Sequence, residues 1–145
     1  MENAYHALAL DEKRKNFAPT LWMKSKNTIR RSFTQTLEQR WFAGVHGNIG
    51  GGYPDEGLSD ITLNWMISRA AHCDLAFDLS EVKSEVKPND AGMLYNSRWG
   101  LFALLPAFIR PVDKEQQTVD PTVFDRISRD LHYRPANIVG PPEKK

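Results

Sequence analysis

The run Trp41-Phe42-Ala43-Gly44-Val45-His46-Gly47-Asn48-Ile49-Gly50-Gly51-Gly52-Tyr53-Pro54 constrains the fold more than any other stretch of this chain. Large apolar and aromatic side chains from Leu37 onward suit a pleated surface, so Leu37 to His46 reads as a buried strand. The strand delivers His46 to its end, directly before a loop of three consecutive glycines. Imidazole titrates closer to neutral pH than any other side chain, which makes a strand-end histidine a natural acid/base group. The plainer reading is a hydrogen-bonded structural histidine. Gly50, Gly51 and Gly52 supply backbone angles and close approaches that other residues do not allow.

The remaining chain reads as alternating elements without repeats. Pro54-Asp55-Glu56-Gly57 marks a turn, and Ser59 is placed to cap a helix from Asp60 to Cys73. Leu63, Met66, Ile67 and Ala70 share one face of that helix, widened by Ile61 and Trp65. Upstream, Ala4 to Lys15 reads as a short helix with Leu8 and Leu10 apolar. Phe17 to Met23 is extended, because Pro19 disfavours helix at the residue before it. The basic, polar segment Lys24 to Thr36 reads as a surface loop.

Asp78 to Asn96, with Pro88-Asn89-Asp90 and Gly92, reads as a short helix and a loop. A last helix starts at Asp120, with Pro121 in the first turn and Phe124, Ile127 and Leu131 at helical spacing. The apolar run Trp99 to Val112 is interrupted by Pro106, Arg110 and Pro111 and is too short to span a bilayer. Within it, Leu101 to Ile109 reads as a core helix or strand under the sheet. A lid or membrane-touching surface is the second reading.

A strand between helices places the chain in the α/β class, yet one secure strand is too few for a complete sheet. One domain is expected over residues 1–137, with 138–145 a disordered tail ending in Gly140-Pro141-Pro142.

Several functions are disfavoured directly. With 19 basic and 18 acidic residues the net charge is +1, so composition gives no reason to expect nucleic acid or an anionic membrane. Cys73 has no partner for an internal disulfide and reads as a buried, inert thiol. His6, His46, His72 and His132 lack zinc-ligand spacing, and neither metal nor cofactor is expected. The phosphate-binding Gly-x-x-x-x-Gly-Lys and the dinucleotide Gly-x-Gly-x-x-Gly patterns are absent. So is the Gly-x-Ser-x-Gly elbow; Ser59 comes nearest, but Ile61 stands where the second glycine belongs. The N-terminal residues do not form a secretory signal, so cytoplasmic synthesis is expected. The chain thus offers a candidate base and no nucleophile.

The run from Trp41 to Pro54, continued by Gly57-Leu58-Ser59-Asp60-Ile61 and Trp65-Met66-Ile67, resembles a known family signature. Upstream, His6-Ala7-Leu8-Ala9-Leu10-Asp11-Glu12-Lys13-Arg14 with Phe17, Pro19 and Trp22 is similar to a second motif, and Tyr133-Arg134-Pro135-Ala136-Asn137 to a closing one. The family is the α/β-hydrolase catalytic domain of type VI secretion phospholipase effectors, and the matches touch most of His6 to Asn137.

The resemblance implies the C-terminal part of an α/β-hydrolase-like sheet with flanking helices, incomplete. It implies hydrolysis of a carboxylic ester, lipid or phospholipid, by a Ser-His-Asp triad. His46 fits the histidine and Asp11 the acid, while an acid on an earlier strand upstream is the alternative. Asp11 paired with Arg14 on a helix surface is the structural reading. The glycine loop comprises Gly47, Asn48, Gly50, Gly51 and Gly52. The family often reads His-Ser-Asp-x-Gly-Gly-Gly, whereas Gly47-Asn48 follow His46 here.

The resemblance implies that the family's first strands, serine elbow and most of its oxyanion hole are missing from the chain. A fragment inactive alone is therefore expected, completed by an upstream polypeptide and exported by type VI secretion without a signal peptide. An incomplete sheet exposes strand edges and apolar surface, so marginal stability or self-association is expected. Three other readings stand beside it: a non-catalytic interaction module, an anion cradle at Gly47 to Gly52, and an oxyanion-hole loop starting at His46-Gly47.

Overall fold

Two strands of seven residues each, β1 (Asn3–Ala9) and β2 (Thr36–Phe42), lie side by side and parallel. They run in register from Asn3 opposite Thr36 to Ala9 opposite Phe42. A short β3 (Thr118–Val119) pairs parallel with the far side of β2, giving the order β1-β2-β3. The computed structural model describes residues 2–23, 35–113 and 115–139. Helices α1 (His46–Gly50), α2 (Gly57–Ala71), α3 (Leu79–Glu85), α4 (Pro121–Arg129) and α5 (Ala136–Val139) complete the α/β architecture, with 3-10 turns at Lys15–Phe17 and Gly100–Leu104.

β1 corrects the helix expected from Ala4 to Lys15. Alanine and leucine favour helix locally, but pairing with β2 along the whole strand outweighs that weak preference. The pleat then sorts the core. Leu8 and Leu10 meet Trp41, Val123 of α4 and Tyr133 on one face. Phe42 meets Leu58, Ile61 and Trp65 of α2 on the other, with Tyr5 and Ala7 packed beside them.

α2 begins at Gly57, so Ser59 is no cap: it is the third helical residue, and its hydroxyl donates to the Glu56 carbonyl at 2.9 Å. The buried residues of α2 are Leu58, Asp60, Ile61, Thr62 and Trp65; Leu63 stays exposed, and Met66 and Ile67 are only half-buried. The stripe is turned because the Trp65 ring packs on Phe42, 5.4 Å between centroids. In α4 the Asp120 carboxylate caps the first turn through Thr122 N–H at 3.1 Å, ahead of Pro121 at the first helical position. Val123 and Arg126 are the residues it buries, whereas Phe124 and Leu131 are exposed.

Three further expectations change. Cys73 lies just past α2 and is exposed. Leu101, Leu104, Leu105 and Ile109 face outward rather than packing under the sheet. α5 carries order two residues into the segment expected as a tail, with Ile138 against the core; residues 140–145 lie outside the described ones. Most of the loop expected at Lys24 to Thr36 also lies outside them, and its last residue, Thr36, opens β2. Among the described residues no helix is long and apolar enough to cross a membrane.

Candidate functional site

Both long strands end at the same edge of the sheet, where parallel α/β sheets gather their polar loops. β1 runs out into Leu10-Asp11-Glu12. β2 ends at Phe42, and a tight turn through Gly44 brings the chain to His46, the first residue of α1 rather than the last of the strand. Gly44 adopts φ +131°, and a methyl group there would lie 2.5 Å from the Asn48 Cβ. Only glycine fits both demands.

Asp11 locks this turn. Its N–H donates to the Gly44 carbonyl at 3.0 Å, and its Oδ2 accepts the Gly44 N–H at 2.8 Å. The same oxygen accepts the Tyr133 hydroxyl at 2.8 Å. Burial raises the proton affinity of Asp11, and the two hydrogen bonds only partly offset it. Burial, with the Asp11 charge beside it, holds the Tyr133 phenol far above its ordinary range.

Glu12, the next residue along the chain, is the organising carboxylate that sequence reasoning passed over. Its side chain is fully buried. Oε1 accepts the Arg14 amide and Nε, each at 3.0 Å, and the Ser97 hydroxyl at 2.7 Å. Oε2 accepts Arg14 Nη2 at 2.9 Å and the His46 amide at 3.3 Å. Burial alone would push Glu12 up, but these donors overcome it and bring the carboxyl down to about 2. The only hint in sequence was a second acid directly after Asp11, with an arginine two residues on.

The His46 ring is exposed and meets the Phe17 ring edge-on, 5.6 Å between centroids. It opens on a cavity of about 890 Å³ lined also by Ser59, Leu63, Met66 and Arg110. The Asp11 carboxylate opens instead on a neighbouring hollow beside Tyr133 and Ser97. The two expected triad members therefore share one sheet edge and one backbone tie, and no hydrogen bond joins their side chains. Ser59 shares the cavity with His46, but its proton is given to the Glu56 carbonyl.

The glycine loop is mostly helix. Gly47, Asn48 and Gly50 belong to α1, whose Asn48 and Ile49 amides both return to the Val45 carbonyl. Gly51 takes φ +72° to end it, whereas Gly50 and Gly52 border open space. Asn48 is buried: Oδ1 accepts the Val45 and Tyr95 amides, each at 3.3 Å, and Nδ2 donates to the Met93 carbonyl at 3.0 Å. Among the described residues no group of three histidine, cysteine or carboxylate side chains is placed to hold a metal.

Fold and edge together define an α/β protein whose parallel strands present an acid turn and a histidine at one end. Residues 1–69, which hold β1, β2, the Asp11 turn and His46, match the family model of the type VI secretion system phospholipase effector Tle1-like catalytic domain. The chain is also 36% identical over 58 residues to the uncharacterized protein YEL023C of Saccharomyces cerevisiae. That alignment covers 37% of this chain and 8% of the yeast protein. No solved structure matches the chain.

Proposed function

We propose that this chain is the histidine-bearing part of a serine ester hydrolase acting on lipid or phospholipid, inactive until a second polypeptide supplies the nucleophile. One observation carries the reading: the Asp11 turn and His46 follow the carboxyl ends of adjacent parallel strands and are bound together through Gly44. In a serine hydrolase, imidazole removes the hydroxyl proton and returns it to the leaving group, while the acid fixes the ring. His46 is free and exposed for that task. Asp11 and Glu12 both border its turn, Asp11 through the Gly44 amide and Glu12 through the His46 amide.

The edge of the sheet supports completion from outside. The bonds Thr36 N–H to Glu2 O and Leu10 N–H to Phe42 O give the even-numbered residues of β1 to β2. Tyr5 and Ala7 then aim their backbone groups the other way, where no strand lies among the described residues. Such an edge accepts a further strand.

Turnover of a p-nitrophenyl ester tests the proposal. The chain alone is expected to be inactive and unlabelled by a serine-directed fluorophosphonate. Paired with a polypeptide carrying a Gly-x-Ser-x-Gly elbow, it is expected to turn over, and His46→Ala to lose at least about a hundredfold. Turnover by the chain alone overturns the need for a partner; full activity of the paired His46→Ala variant overturns the role of His46.

A further inference from the structure

The strongest feature left unused is the segment 98–109. Trp99 is 77% exposed, Leu101 83% and Leu104 82%, with Leu105 and Ile109 more than half exposed. Soluble proteins seldom leave so many large apolar groups together in water without a surface to receive them.

The segment is built, not frayed. Gly100 turns it with φ +58°, and the Arg98 guanidinium donates into its interior, to the Ala103 carbonyl at 3.2 Å and to Leu105 O. Phe108 N–H then anchors it on the Lys13 carbonyl at 2.9 Å, and Arg110 ties its end to Ala9 O at 2.6 Å. Held by these bonds, the loop carries its apolar side chains outward at the strand ends that carry the candidate site.

Cations border it. A groove of about 400 Å³ lies between the apolar segment and the chain after β1, lined by Lys13, Arg14, Lys15, Arg98, Phe102 and Leu105. Arg14 is neutralised by Glu12, while Lys13 and Lys15 are exposed and have no ion-pair partner among the described residues. The whole-chain charge of +1 hides this local excess. Arg14 lies 3.7 Å over the Phe17 ring and 5.3 Å from the Phe102 ring, and Phe17 touches His46. The apolar segment is thus continuous with the candidate base.

We infer that residues 98–109, rimmed by Lys13 and Lys15, dock this face on the surface of an anionic phospholipid bilayer. Tryptophan and leucine enter the boundary between headgroups and acyl chains, and the ammonium groups meet the anionic headgroups. A second copy of the chain would cover the leucines but bring like-charged lysines together. Nucleic acid would meet the lysines and leave the leucines in water. The choice of a lipid rests on the proposed function, but adsorption is read without turnover.

Co-sedimentation of the full chain with vesicles of non-hydrolysable diether phosphatidylcholine, with or without diether phosphatidylglycerol, tests this. Binding is expected only with phosphatidylglycerol, falling at least about tenfold for Lys13→Glu/Lys15→Glu. It is expected to vanish for Trp99→Ser/Leu101→Ser/Leu104→Ser. These positions are exposed, so both variants should keep the wild-type melting temperature. Trp99→Phe should bind while losing a vesicle-induced blue shift of tryptophan emission. Absence of binding, equal binding to neutral vesicles, or indifference to these substitutions overturns the inference. A lipid-free oligomer dissolved by the serine variant, with no vesicle binding, assigns the patch to a second copy. Ester turnover by the paired chain without adsorption defeats this inference alone, and adsorption with no turnover even when the chain is paired with the elbow-bearing polypeptide defeats only the hydrolase reading.

Discussion

Asp11 and Gly44 are joined twice, carbonyl to amide and carboxylate to amide, across the ends of two parallel strands. The tie sets the turn that presents His46, so Asp11 has a structural task whatever chemistry follows. Asp11→Ala leaves the Gly44 amide and the Tyr133 hydroxyl without their buried acceptor, at a cost of about 2–4 kcal/mol. Tyr133→Phe removes one of those bonds and should cost about 1 kcal/mol. Urea denaturation of both variants measures the difference.

The two neighbouring carboxylates titrate with opposite sign. Glu12 is held down to about 2 in the fold against an ordinary 4.5, so it stabilises above 4.5, and that contribution is lost as pH falls from there toward 2. The shift corresponds to about 3 kcal/mol, and Glu12→Gln should lose up to that amount at neutral pH. The gap between wild type and variant should close below about pH 3 in denaturation curves. Asp11 is raised, so the fold favours its protonated form, and its contribution declines as pH climbs above 3.8. Asp11→Asn should remove that decline.

Asn48 is chosen for a donor that aspartate lacks. Asn48→Asp turns a carboxylate oxygen onto the buried Met93 carbonyl. Stability should fall by about 2–3 kcal/mol, read as a lower melting temperature.

The glycines separate into two groups. Gly44→Ala forces both a positive φ and a 2.5 Å contact, and should cost more than about 2 kcal/mol. Gly50→Ala meets open space at the end of α1 and should be neutral or stabilising by up to about 1 kcal/mol. Thermal melts of the pair distinguish a required backbone from a merely tolerated one.

His46→Ala should change stability by less than about 0.5 kcal/mol, because the ring is exposed and accepts no buried hydrogen bond. A large loss of stability would mark the ring as a structural member of the turn.

Much of this was legible in the residues and some was not. The aromatic run into Phe42 announced β2, the Asp120-Pro121 pair announced α4, and the turn at Pro54 preceded α2. β1 was hidden because Ala7-Leu8-Ala9-Leu10 carries helical preference, and only a partner strand thirty-odd residues on makes it extended. The α2 stripe was misjudged by composition: Leu63 and Met66 look like core but line the cavity beside His46, while Thr62 is buried. Glu12 escaped notice because its donors, Ser97 and the His46 amide, come from distant parts of the chain. No local pattern marks residues that fold alone brings together.

Among the described residues β2 has a neighbour on either side, which leaves the two margins of the sheet open to newcomers. Anything recruited beyond Tyr5 and Ala7 extends the layer without passing between the acidic turn and the imidazole. The part of the molecule that sets those groups side by side is therefore insulated from whatever is assembled around it.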